Sequence, residues 1–313
     1  MTNNAITTTE AEFNWFSNNG VFMPMINDTG RNIFYKAAIE SAVKDKVVCD
    51  IGTGTGFLSV LAAKAGAKKV YAVEMDPGRA EFARNVIAKV GLGDVIEVIN
   101  DNFLNTDISA DIYVSETIGT QIFNENIIAI ANHAIRNGGV FIPSQFEIVA
   151  RVYKNHPIFP MVQSNSDAFE FQPDIEIDPE FENIINTGFQ QQHGLDNTLY
   201  RANCIHNLFS QLHKFDDLRL TTLYETEPLI VDLNKPNDIN NIRITIPNSA
   251  VDTSTQDICV VLFWKARYQD LTMNVTDTIW GNPSKIILPR CRKVGTDIVT
   301  WYDPAINDWR FSF

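Results

Sequence analysis

The sequence predicts an α/β fold, a doubly wound Rossmann-like domain followed by an antiparallel β-rich domain. Three observations predict it. Strand-like and helix-like patterns alternate up to residue 143. An apolar strand, Val47 to Asp50, runs straight into the glycine turn Gly52-Thr53-Gly54-Thr55-Gly56. After Pro143 the alternation gives way to short β patterns broken by Pro, Asn, Asp and Gly.

The elements follow in order. Asp28–Val43 reads as a helix capped by Asp28 or Thr29, Val47–Asp50 as a buried strand, and Gly56–Ala65 as the helix after the glycine turn. Lys69–Glu74 is a second strand, Pro77–Val90 a helix with proline in its first turn, and Val95–Asn100 a third strand. Asp111–Ser115 is a fourth strand and Asn126–Ile135 a helix. Gly138-Gly139 then turns the chain into a fifth strand ending at Pro143. Beyond it, Phe146–Tyr153, Leu229–Leu233, Asn241–Ile246, Cys259–Lys265, Thr272–Val275, Ile286–Leu288 and Ile298–Trp301 are β candidates for a sandwich or barrel. The polar stretch 159–216 interrupts them, with Phe181–Ile185 and Ala202–Leu212 as short helix candidates. Its length marks an inserted functional arm rather than a plain loop. The aromatic carboxyl terminus (Trp301, Tyr302, Trp309, Phe311, Phe313) is expected to plug a barrel edge.

Composition narrows the partners. The 313 residues carry a net charge of −13, a field that disfavours duplex nucleic acid and favours a cationic substrate, although acidity also serves solubility. Four widely spaced cysteines (Cys49, Cys204, Cys259, Cys291) make no CxxC motif, and none of the five histidines makes a metal pattern. Reduced thiols, a polar amino terminus and no apolar run of about 18 residues predict a cytoplasmic protein without a membrane span.

The glycine turn lets backbone and ligand approach closely. Glu74, 18 residues beyond Gly56, ends the next strand where a carboxylate meets ribose hydroxyls. Dinucleotide enzymes and S-adenosylmethionine enzymes share that pairing. The spacing G-x-G-x-G and Asp50 at the strand end favour S-adenosylmethionine. Asp101, after the third strand, is a candidate for the adenine amino group and equally an ordinary turn residue.

Glu116 and Glu125, nine residues apart in one loop, are the sharpest chemical signal. Two carboxylates near a ligand repel and lose hydration unless a cation lies between them. Guanidinium fits, because its planar fork offers paired donors to each carboxylate. The competing reading makes Glu125 a helix N-terminal charge.

These residues resemble the protein arginine methyltransferases across almost the whole chain. Ser115-Glu116 through Gly119 and Phe123 to Glu125 match that family's double-glutamate loop. Asp50, Gly52, Gly54, Gly56 and Glu74 match its S-adenosylmethionine site. Phe13, Phe16, Gly20, Met25, Asp28 and Arg31 align with the segment that closes over the cofactor. The resemblance places Arg31 at the methionine carboxylate, and Phe16 where tyrosine is usual. Thr278-Ile279-Trp280 stands where the family has Thr-His-Trp, so Trp280 would wall the substrate pocket; its other reading is a core aromatic. Ile279 and Phe22 replace the usual histidines. Arg31-Asn32, the Ile51-to-Gly56 turn and Val299-Thr300-Trp301-Tyr302 look closest to the monomethylating branch.

The resemblance implies a cofactor-binding domain over 1–143, a β-barrel substrate domain over 144–313, and a homodimerisation arm at 159–216. It implies methyl transfer from S-adenosylmethionine to arginine in a protein or peptide. A small cationic or amine metabolite as acceptor, and a non-catalytic binding module, are the alternatives.

Overall fold

The computed structural model describes residues 28–119, 122–154, 221–251, 258–275, 284–288, 296–306 and 308–312. The expected segment 159–216, its two short helices, and Phe16, Met25 and Trp280 lie outside the described residues.

The first part is a five-stranded, all-parallel sheet in the order β3-β2-β1-β4-β5, built from Ile96–Asn100, Lys69–Glu74, Val47–Ile51, Ile112–Ser115 and Val140–Ile142. β1 and β4 are buried along nearly all their length, as strands covered on both faces require. The covering helices are α1 (Thr29–Ala42), α2 (Phe57–Lys64), α3 (Pro77–Lys89) and α4 (Ile127–Arg136). Asp28 caps α1 by accepting from the Arg31 N–H, and Asp76 caps α3 by accepting from the Arg79 N–H. The strand order reverses between β1 and β4. Ligands of open α/β sheets bind at such a crevice, beyond the carboxyl ends of the strands.

The second part is antiparallel. β6 (Gln145–Lys154) pairs along its length with β10 (Ile258–Tyr268). β11 (Leu271–Asn274) and β12 (Ser284–Leu288) join β10, while β7 (Thr221–Glu225) and β8 (Leu229–Asp232) join β6. A three-stranded sheet runs β14-β13-β9, from Asp308–Ser312, Ile298–Asp303 and Arg243–Ile246. Two strands were not expected. β7 opens on two polar threonines, and β14 is a short aromatic–polar strand ordered by pairing with β13. Asn241, expected to start a strand, instead closes the 3-10 turn Ile239–Asn241 capped by Asp238, and the strand begins at Arg243.

One buried core runs through both parts. Phe141 and Ile142 continue into Phe146 and Ile148, and α1 packs against both α2 and β11. The parallel sheet, its helices and the antiparallel sheets make up the described fold.

Candidate active site

A cavity of about 470 Å³ opens at the carboxyl edge of the parallel sheet, where the strand order reverses. Its wall includes Gly52, Gly54, Glu74, Asp101, Glu116, Glu125 and Arg31. Residues spread over nearly a hundred positions thus meet because β1, β2, β3 and β4 end on one edge.

The glycine turn is held from below. Asp50 is 1 % exposed, and its Oδ2 accepts from the hydroxyls of Thr53 and Ser59, each at 2.6 Å. Burial raises the carboxyl's proton affinity, and those hydroxyls oppose the rise. Asp50 does not line the cavity, and neither does Gly56. Gly56 has φ 81°, and a Cβ there would meet Ala83 and Ile87 of α3, so its place is at the helix–helix contact. Both residues shape the turn rather than form its wall.

Glu74 is braced by backbone donors. Its Oε2 accepts from the Gly54 N–H and its Oε1 from the Asp76 N–H, each at 3.0 Å. Every carboxylate oxygen has two acceptor positions, so each retains one for a ligand hydroxyl. Asn100 donates to the carbonyls of Glu74 and Met75, which clamps the end of β2 and places Asp101 at the cavity.

Glu116 leaves the end of β4 with a side-chain exposure of 8 %. Arg31 Nη2 donates to its Oε2 at 3.0 Å, and Arg31 Nη1 donates to Asn32 Oδ1 at 3.0 Å. The buried Arg31 Nε has no partner among the described residues. The Glu116 carboxyl is raised to about 7: burial drives it up, Arg31 opposes the rise and Glu125 adds to it. Glu125 reaches solvent at the rim, yet the cavity walls desolvate its carboxyl enough to raise it, with Arg79 opposing.

Two contributors had no sequence reading. Arg79 lines the cavity from the first turn of α3, two residues past the proline that starts that helix. Tyr35 donates from its hydroxyl to the Ser115 carbonyl at 2.9 Å, tying α1 to the strand end beside Glu116. Its spacing of four from Arg31 puts both on one helix face, a signal that could have found it.

The loop between the glutamates is tightly folded. Ile122 donates its N–H to the Gly119 carbonyl at 2.9 Å. A Cβ on Gly119 would fall 2.6 Å from Asn124 Cγ, so the carboxamide beside Glu125 needs glycine opposite it. Gly119→Ala is therefore expected to turn Asn124 aside and move Glu125. The expected cost is about 1–2 kcal/mol of stability. Turnover with retained cofactor affinity would check the displacement of Glu125, and urea unfolding the stability cost.

Comparisons with known proteins agree with this geometry. Residues 36–155 match the family model described as Ribosomal protein L11 methyltransferase (PrmA). An arginine N(omega)-methyltransferase of Streptomyces achromogenes subsp. streptozoticus is 33 % identical over 150 residues, covering 44 % of this chain and 42 % of that protein. Protein arginine N-methyltransferase 9 of Mus musculus is 39 % identical over 129 residues, covering 39 % of this chain and 15 % of that protein. Over these stretches the chain is similar to arginine methyltransferases. It spans less than half the length of these relatives. Among solved structures, a PRMT6–SAH crystal structure superposes with a TM-score of 0.60 at 18 % identity, covering 94 % of this chain and 98 % of that one. The Arabidopsis thaliana protein arginine methyltransferase 10 superposes with a TM-score of 0.56 at 17 % identity, over 91 % and 89 % of the two chains. The fold shared with these structures thus extends through the antiparallel part.

Proposed function

We propose that the chain is an S-adenosylmethionine-dependent methyltransferase whose acceptor is the guanidinium of arginine in a protein or peptide. One observation carries the reading: Glu116 and Glu125 share a cavity with the glycine turn and Glu74. The donors fit the cofactor. Arg31 brings a buried Nε without a partner among the described residues, suited to a carboxylate. Glu74 keeps acceptor positions for ribose hydroxyls, and Gly52 and Gly54 give close backbone approach. Asp101 and Met75 line the same wall, where an adenine would lie.

Bound S-adenosylmethionine would supply an electrophilic methyl group on a sulfonium. Glu116 and Glu125 then offset the two positive charges that must meet. They orient the guanidinium and draw its charge toward the nitrogens they hold, which leaves the attacking nitrogen richer in electrons. The net charge of −13 favours approach of a cationic segment.

The raised Glu116 carboxyl has a consequence for pH. It must be ionised to hold guanidinium, so kcat/KM should fall as pH drops through about 7 at low cofactor concentration. Saturating cofactor should move this acid limb down, because the sulfonium favours the carboxylate. A pH profile of peptide methylation checks it, and a flat profile between pH 6 and 8 on the order of the assay error would contradict it.

The test of the acceptor is transfer of labelled methyl to an Arg-Gly-rich peptide, its Lys-Gly counterpart and free arginine. Label on peptide arginine supports the proposal. Free arginine is the second reading, favoured by the relative named for arginine rather than for protein arginine. Cofactor binding without transfer to any of them would leave a binding module.

The finer architecture belongs to the same proposal. The boundary falls between residues 143 and 144, the antiparallel sheets are the walls of a β-barrel, and 159–216 is an arm that makes a cytoplasmic homodimer. The turn from β5 into β6 supports the boundary, and the buried free thiol of Cys49 suits a reducing compartment. A monomeric mass by light scattering at micromolar concentration would rule the dimer out.

A further inference from the structure

Phe123 lies between the two glutamates in sequence, yet its ring is 1 % exposed and does not line the cavity. It is inserted into aromatic rings from far along the chain. The Tyr302 ring stands edge-on at 5.5 Å, the Phe146 ring edge-on at 6.1 Å, and the Trp309 ring at 6.1 Å and tilted by 43°. Tyr302 and Trp309 are cross-strand partners in the β13–β14 hairpin, with ring centroids 5.8 Å apart.

The segment they grip is strained. Ile122, buried and β-branched, has φ 70°, and Asn126, just past Glu125, has φ 65°. Left-handed backbone at a β-branched residue persists only where the surroundings over-determine it. Beneath the loop, the surroundings are this aromatic cluster. We infer that the carboxyl-terminal hairpin, through Tyr302 and Trp309 packed on Phe123, is the device that positions Glu125 opposite Glu116. Tyr302 and Trp309 are positioning residues: they act through Phe123 and meet no ligand. The inference rests on the double-glutamate reading proposed above.

The experiment uses the full chain, with turnover of the Arg-Gly peptide expressed per cofactor-binding site counted by S-adenosylhomocysteine titration. Any unfolded fraction then drops out. Trp309→Leu should lower kcat/KM about 10- to 10²-fold, the loss expected for a displaced reacting group, with cofactor affinity unchanged. Trp309→Phe keeps an aromatic ring and should stay within about threefold of wild type. The deciding measurement is Trp309→Leu in the Glu125→Gln background, where it should cost no more than about threefold because the group it misplaces is already disabled. An equal loss in both backgrounds, or no loss per site from Trp309→Leu alone, overturns the inference. Wild-type turnover by Glu125→Gln alone is a different outcome: it removes the double-glutamate reading first, and this inference with it.

Discussion

Replacing Glu116 or Glu125 by Gln should lower kcat/KM for an arginine peptide by roughly 10² to 10³ or more, while S-adenosylhomocysteine still binds. Gln keeps the size but removes a charge, and it turns one acceptor into a donor facing guanidinium N–H groups. Losing a charge-assisted pair costs about 3–5 kcal/mol once bound cofactor and substrate exclude water from the rim, which sets that range. The two variants should differ in one respect. Glu116 also holds Arg31, so Glu116→Gln disturbs a residue suited to the cofactor carboxylate, whereas Glu125→Gln leaves that pair intact. Glu125→Gln is therefore the cleaner test. Near wild-type methylation by both variants would end the double-glutamate reading and point to a neutral nucleophile.

The second large effect is expected at the glycine turn. Gly54 has φ 54°, lines the cavity and donates its N–H to Glu74 at 3.0 Å. Valine is strained in that backbone region, and its side chain would stand where ligand and backbone approach. Gly54→Val should weaken S-adenosylhomocysteine binding by about 10²-fold or abolish it, read by calorimetry. The brace on Glu74 loosens in the same step, so one substitution removes two contacts. Unchanged affinity would place the cofactor elsewhere, and tight NAD binding without any S-adenosylhomocysteine response would name a different cofactor.

The parallel sheet was legible because its signals are local. Val47–Cys49 and Ile112–Val114 are apolar runs, as doubly covered strands favour, and Asp28 and Pro77 mark helix starts within a few residues of themselves. The antiparallel part was read less completely. Thr221–Glu225 and Asp308–Ser312 carry weak patterns of their own and become strands only by hydrogen bonding to β6 and β13.

The site divides in the same way. Glycine spacing, the carboxylate ending β2 and the paired glutamates are chemical types at fixed intervals, and those intervals are visible in one dimension. Three further features were not. Asp50 and Gly56 read as ligand contacts because they flank the turn, yet they face Thr53 and Ser59 in one case and α3 in the other. Arg31 read only as a cofactor residue, and its ion pair with Glu116 joins residues 85 positions apart.

What the residues determine by themselves, then, is the order of strands and helices and the kinds of groups at the strand ends. Backbone sterics and hydrophobic periodicity act over a handful of neighbours, so a linear reading recovers them. Which groups are buried, which are paired and how the double-glutamate loop is held were decided by tertiary packing. Desolvation and aromatic contact depend on what surrounds a side chain, and around Glu116 and Phe123 those surroundings come from α1 and from a hairpin near the carboxyl terminus.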